Sequence, residues 1–146
     1  MIVLVAGANG RLGGLLVALL LGRGHAVRGL VRAQEEAKAL EEIGASALVG
    51  DLRGDVEWAA EGCDAAIFAA GARHPSELGA IDGGGAAKLA ESADRYELRR
   101  FVLCSAVGAG APEREPRLAR ALRALEPSIT DKRRCPRRAC RRCRRR

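Results

Sequence analysis

The chain has 146 residues, 48% hydrophobic and 29% charged, enough for one globular domain with a sizeable core. Its formal charge of +7 is unevenly spread: Lys132 and nine arginines lie in residues 132–146, leaving fifteen basic against eighteen acidic side chains in residues 1–131. The folded part is thus mildly acidic, which argues against a polyanion-binding surface, and an aromatic content of 3% argues against a base-stacking platform.

Residues 2–6 form a short continuous apolar run, the pattern of a strand buried on both faces. The run lacks a basic leader and breaks at Gly7, so it reads as neither a signal peptide nor a membrane span, and the expected compartment is the cytoplasm. Gly7, Ala8, Asn9, Gly10, Arg11, Leu12 and Gly13 follow as GANGRLG, a GxxGxxG spacing. Between a strand and a helix, the first glycine permits a tight turn, the second lets the backbone approach a pyrophosphate, and the third lets the helix pack closely on the sheet. The helix N-terminus then offers free N–H groups and partial positive charge to phosphates. A tight turn that binds nothing is the plainer alternative for glycines alone.

Leu12, Leu15, Leu16, Leu19 and Leu20 fall at the spacing of one helix face, with Gly22 and Gly24 as stop signals. A second buried strand is expected over residues 26–31, ending at Arg32. An NAD site usually places an acid there for the ribose hydroxyls, whereas a cation favours a 2′-phosphate; Arg32, with Arg11, therefore points to NADP(H), with NAD(H) as the alternative coenzyme. A solvated surface arginine is the default reading of either residue alone.

A second helix carries Ala33, Ala37, Leu40 and Ile43 on one side and stops at Gly44. Strands at 47–49, 65–69 and 101–104 follow, with a short helical stretch at 56–60 and a longer helix at 76–93. Gly83, Gly84 and Gly85 interrupt that longer helix, and mark close backbone packing. Alternating strands and helices predict an α/β, Rossmann-type doubly wound parallel sheet in the order 3-2-1-4-5. A last helical pattern, Leu118, Ala121, Leu122 and Leu125, ends near Pro127. Residues 1–131 read as the dinucleotide-binding domain and 132–146 as a disordered tail.

GANGRLG, LVR at the end of the second strand, GDL at Gly50, Asp51 and Leu52, GCDAAIFAAG at 62–71 and RRFVLCSAVGA at 99–109 together resemble the atypical short-chain dehydrogenase/reductases with an NAD(P)H-binding domain. The resemblance, to flavin reductase/biliverdin reductase B-like and NmrA-like members, covers roughly residues 1–131. It implies that Asp51 and Leu52 lie against the adenine and that Ala69, Ala70 and Gly71 line the cofactor. It also implies that Ser105 lies near the nicotinamide. All of these positions are at carboxyl ends of strands, where ligands bind in open sheets.

The family's dehydrogenases use a tyrosine and a lysine four residues later; the matching positions here are Ser128 and Lys132. A serine hydroxyl is too weak an acid to replace a phenol, and Tyr96 precedes the fifth strand with Arg100 at the fourth position. Flavin- or quinone-reductase-like hydride transfer from NADPH to a small acceptor survives this loss, because a solvent proton completes it. His74 is a candidate proton donor or acceptor-binding residue, with an ordinary loop histidine as its alternative. A non-catalytic NADP(H)-sensing module is the second reading, and catalysis itself stays open.

The resemblance also predicts a helix and sixth strand after Lys132, where this chain carries CPRRACRRCRRR instead. The family's C-terminal part is thus expected to be missing and the tail to be a frameshift product. If the tail is genuine, its arginines suit phosphate contacts with nucleic acid, a third and weaker reading. Cys135, Cys140 and Cys143 lack a fourth ligand for a structural zinc site, so no metal is expected. Cys63 and Cys104 read as reduced, buried thiols, His25 reads as structural, and the exposed edge of the fifth strand, with Phe101 and Leu103, invites pairing with a second copy of the chain.

Overall fold

The computed structural model describes residues 1–105. The expected helix over 118–125, Ser128, Lys132 and the cysteine-bearing tail over 132–146 lie outside the described residues. Five parallel strands form one sheet: β1 (Ile2–Ala6), β2 (Ala26–Val31), β3 (Ser46–Val49), β4 (Ala65–Phe68) and β5 (Arg100–Leu103), in the order β3-β2-β1-β4-β5. The order is the one expected, and β1 pairs on both sides, Val3 with Val27 and with Ala65, Ala6 with Leu30 and with Phe68.

The central strand shows why its sequence is apolar throughout. Val3 and Val5 belong to one buried cluster with Val17, Val27, Val31, Ala37 and Leu40. Leu4 and Ala6 belong to another, with Leu30, Val56, Phe68, Ile81 and Leu89. A strand alternates its side chains between faces, so burial on both requires an unbroken apolar run. Helices α1 (Arg11–Gly22) and α2 (Gln34–Glu42) contribute to the first cluster, and α3 (Ala86–Arg95) with a short 3₁₀ turn (Glu57–Ala60) contributes to the second.

The packed face of α1 differs from the one the leucine spacing predicts. Gly13 and Val17 are buried, Leu20 and Leu21 pack partly, and Leu12, Leu15 and Leu19 stand 48%, 71% and 52% exposed. The helix is apolar on nearly every side, so its leucines do not define a unique face. Gly13 decides it instead, because a β-carbon there would overlap the Gly7 carbonyl oxygen.

Other departures have local causes. Ala69 lies just beyond β4, and β3 and β5 each begin one residue earlier than their apolar runs. The helix expected over 76–93 is divided into a 3₁₀ turn (Pro75–Glu77), a π-helical segment (Gly79–Gly85) and α3. The wider π-helical turns coincide with the glycines, and a β-carbon on Gly85 would stand 3.0 Å from Leu52 Cβ and 3.4 Å from its carbonyl oxygen, so Gly85 packs closely on the loop after β3. On β5, Phe101 and Leu103 pack partly into the second cluster, whereas Val102, pointing to the opposite face, is 48% exposed.

Two polar ties fasten α3 to the loop after β3. Lys88 Nζ donates to the carbonyls of Leu52, Arg53 and Gly54 at 3.3, 2.9 and 2.8 Å. The buried Ser92 hydroxyl donates to the Glu57 carbonyl. The loop that leaves β3 is therefore held in place by the helix preceding β5.

The observed face of α1 sets an order of sensitivities. Val17→Ala removes buried methyl groups and should cost about 1–2.5 kcal/mol, whereas Leu15→Ala should change stability by no more than about 0.5 kcal/mol. Chemical denaturation of the two variants measures the difference; a larger loss at Leu15 would contradict the packing.

Candidate functional site

The described residues form a cleft at the carboxyl ends of four strands. Gly7, Asn9 and Gly10 line it from the loop after β1, and Leu30, Val31 and Arg32 from the end of β2. Gly50, Asp51 and Leu52 follow β3, Ala69, Ala70 and Gly71 follow β4, and Arg73, Glu77 and Ile81 close the side.

The loop after β1 turns sharply because Gly7 adopts φ +78°, a conformation that L side chains rarely accept. A β-carbon on Gly7 would also stand 2.6 Å from Ala70 Cα, so the exits of β1 and β4 touch backbone to backbone. The turn closes through Gly10 N–H to the Gly7 carbonyl at 2.9 Å, and α1 starts directly afterwards. Gly10 caps α1 with no side-chain hydrogen bond, and there is no acid in the first turn. Hence the first amides of α1, the positive end of its dipole, have no side-chain cap among the described residues.

That cradle fits a pyrophosphate. Donors converge at a helix N-terminus, a β-carbon at Gly10 would stand 3.2 Å from the Gly7 carbonyl oxygen, and Arg11 adds positive charge nearby.

The end of the cleft that follows β3 is strongly charged. Asp51 forms an ion pair with Arg53, Oδ2 to Nη2 at 2.6 Å, and also accepts the Arg53 backbone N–H at 2.9 Å. These hydrogen bonds, the side-chain one first, hold its carboxyl at about 2, below the ordinary 3.8. Arg53 reaches in addition to Glu77 at 3.6 Å, linking the loop after β3 to the turn after β4. Asp82 accepts the Ala72 N–H at 2.9 Å and so holds the exit of β4.

Nine of the residues singled out from sequence converge on this cleft: Gly7, Asn9, Gly10, Arg32, Asp51, Leu52, Ala69, Ala70 and Gly71. The others lie apart from its lining. Ala8 is buried in the core beneath the loop, Gly13 is the packing contact of α1, and Arg11 and Leu12 are exposed on its first turn. Ser105 is exposed just past β5. His74 Nδ1 lies 2.8 Å from Ser76 Oγ and caps the 3₁₀ turn, which is local structure rather than a position on the cleft. Cys63 and Cys104 are half-buried rather than fully buried, and burial raises the Cys63 thiol above its usual range, keeping it protonated at neutral pH.

Arg73, Glu77, Ile81 and Asp82 escaped the sequence reading. They follow β4 in a stretch with no recognisable spacing, and only the π-helical segment folds Ile81 and Asp82 back toward the cleft. The Pro75–Ser76–Glu77 start signal was the one available clue.

A doubly wound parallel sheet with an open glycine loop at its first strand defines a Rossmann-type dinucleotide-binding domain. The model of the NAD(P)H-binding family matches residues 7–139, and the chain belongs to that family, an atypical short-chain dehydrogenase/reductase domain. YhfK of Bacillus subtilis (strain 168), an uncharacterized sugar epimerase, is 38% identical over 114 residues, covering 73% of this chain and 53% of its own. Among solved structures, a Bacillus halodurans protein described as an NAD-dependent epimerase/dehydratase superposes with a TM-score of 0.80 at 32% identity, covering 88% of this chain and 64% of its own. Yeast methylglyoxal/isovaleraldehyde reductase Gre2, complexed with NADPH, superposes with a TM-score of 0.66 at 28% identity, covering 75% and 38%. This chain therefore spans 53% and 64% of the lengths of the two bacterial relatives. Among the described residues no helix is long and apolar enough to cross a membrane, and no His/Cys/Asp/Glu group could hold a metal.

The Asp51–Arg53 pair carries a checkable sign. A carboxylate whose folded pKa is depressed adds stability that is present above its unfolded pKa and is lost as pH falls through about 2. In Arg53→Ala the Asp51 pKa should return toward 3.8, followed by carboxyl-region NMR titration; an Asp51 still titrating near 2 would show that another group holds it.

Proposed function

We propose that this domain binds NADP(H) in the cleft and serves hydride transfer from NADPH to a small acceptor of the flavin or quinone class. The observation that carries the reading is the uncapped N-terminus of α1 behind a glycine turn that only glycine can make. Gly7, Gly10 and the first amides of α1 would hold the diphosphate, and Arg32, at the end of β2, would face the ribose 2′-phosphate, helped by Arg11. Asp51 and Leu52 form the adenine wall, fixed from behind by Lys88, while Ala69, Ala70 and Gly71 supply a smooth backbone surface along the coenzyme. When bound, the nicotinamide supplies the hydride; the chain's own part is to orient the coenzyme and exclude water from one of its faces.

Ser105 lies just past the carboxyl end of β5, beyond the exit of β4, and is the residue proposed near the nicotinamide. His74 is a weaker catalytic proposal, because its ring nitrogen is engaged by Ser76. Its relatives include both an NAD-dependent epimerase/dehydratase and a reductase complexed with NADPH, which supports a nicotinamide coenzyme for this domain. Ser128 in place of a phenol favours a second reading, a module that binds the dinucleotide and reports redox state to a partner without catalysis.

The readings separate in one assay. With the full chain saturated in NADPH, oxidation is followed at the nicotinamide absorbance with flavin, quinone and dye acceptors; turnover is expected with at least one, and binding without turnover would leave the sensing role. Arg32→Asp should weaken NADPH by roughly ten- to hundredfold and NADH far less, as measured by calorimetric titration. Equal losses for the two coenzymes would remove Arg32 from the 2′-phosphate.

A further inference from the structure

The end of β2 carries Arg32 and no acid in sequence, yet the fold brings a carboxylate there. Glu36 sits in the first turn of α2 and is half-buried. Its Oε2 accepts the backbone N–H of Arg32 at 3.0 Å and of Ala33 at 3.3 Å. Its Oε1 accepts the side-chain amide of Asn9 from the glycine loop. Ala33 has no side-chain acceptor, so Glu36 supplies only the returning half of a capping box. One carboxylate thus bridges the β1 and β2 exits, between two residues, Asn9 and Arg32, that line the cleft.

We infer that Glu36 is a specificity-determining residue for the coenzyme: it supplies in space the acid that β2 lacks in sequence. The inference rests on the dinucleotide reading above and deepens it. At the end of the second strand an acid accepts the ribose hydroxyls of NAD(H), while an arginine accommodates the 2′-phosphate of NADP(H). Here Arg32 lines the cleft, and Glu36, four residues on, lies against the Arg32 and Ala33 amides and the Asn9 side chain at its edge. Arg32 draws a 2′-phosphate in, and Glu36 opposes it twice, by like charge and by already occupying two main-chain N–H groups that an incoming anion would use. A neutral 2′-hydroxyl meets neither penalty and can donate to the same carboxylate. The site is thereby tuned to accept NAD(H) alongside NADP(H), with Glu36 setting the ratio.

Glu36→Gln tests this cleanly, because glutamine at this position still accepts the Ala33 N–H and preserves the cap. Dissociation constants for NADPH and NADH are measured by calorimetry on the full chain, wild type and variant, at one ionic strength. E36Q should tighten NADPH by roughly tenfold and leave NADH unchanged or weaker. Glu35→Gln, the same charge change on an exposed neighbour, should leave the ratio alone. If E36Q does not fold, Glu36→Asp, one methylene too short to keep all three contacts, should move the ratio in the same direction. A ratio within about twofold of wild type in the folded variant, with both coenzymes still binding, would overturn the role of Glu36 and leave the dinucleotide reading standing. Failure of either coenzyme to bind the wild type would overturn that reading and this inference together.

Discussion

The structure depends on a backbone contact that no side chain can share. Gly13 in the first turn of α1 lies on the Gly7 carbonyl, and Gly7 lies on Ala70 at the exit of β4. These approaches draw α1 down onto the sheet, choose which of its apolar faces is buried, and point its first amides into the cleft. The sharp turn after β1 and the packing of α1 are thus two results of one steric fact: three chain segments meet where there is no room for a β-carbon.

Around that contact the cleft has a largely apolar lining that includes Leu30, Val31, Leu52 and Ile81, and its rim is crossed by ion pairs and hydrogen bonds. Arg53 engages Asp51 and reaches to Glu77, while Glu36 takes donors from Asn9 and from the β2 exit. Asp51 is satisfied within its own loop, whereas Glu77 and Glu36 each take a donor from another, so the exits of β3 and β4 are braced together and so are those of β1 and β2. Lys88 and Ser92 brace the same region from α3. Preorganisation of this kind lowers the ordering cost of holding a long, flexible coenzyme. The long α1 stripe of Leu12, Leu15 and Leu19, by contrast, takes no part in the core of the described residues.

Most of the sheet was legible because strands buried on both faces must be apolar without interruption; β1 and β4 are, and β2 is broken only by Arg28. The glycine loop was legible because its three glycines stand at a spacing that physical packing demands. The packed face of α1 was not, since a helix apolar all round carries no periodic signal to rank its faces. The segment after β4 was not, because glycine tolerates many backbone paths and its spacing does not mark the π-helical one that the fold adopts. Ile81 and Asp82 reach the site through that path.

By itself, the sequence determined the parallel sheet, its strand order and the glycine turn, because each follows from local patterns of burial and from conformations that only particular residues adopt. Tertiary structure alone decided the electrostatics of the cleft. Glu36 looks like one of several surface acids of α2, and only the folded chain carries its carboxylate back to Arg32 and across to Asn9, 27 residues away. Charges act through space, and the distance between them along a chain says little about the distance between them in a fold.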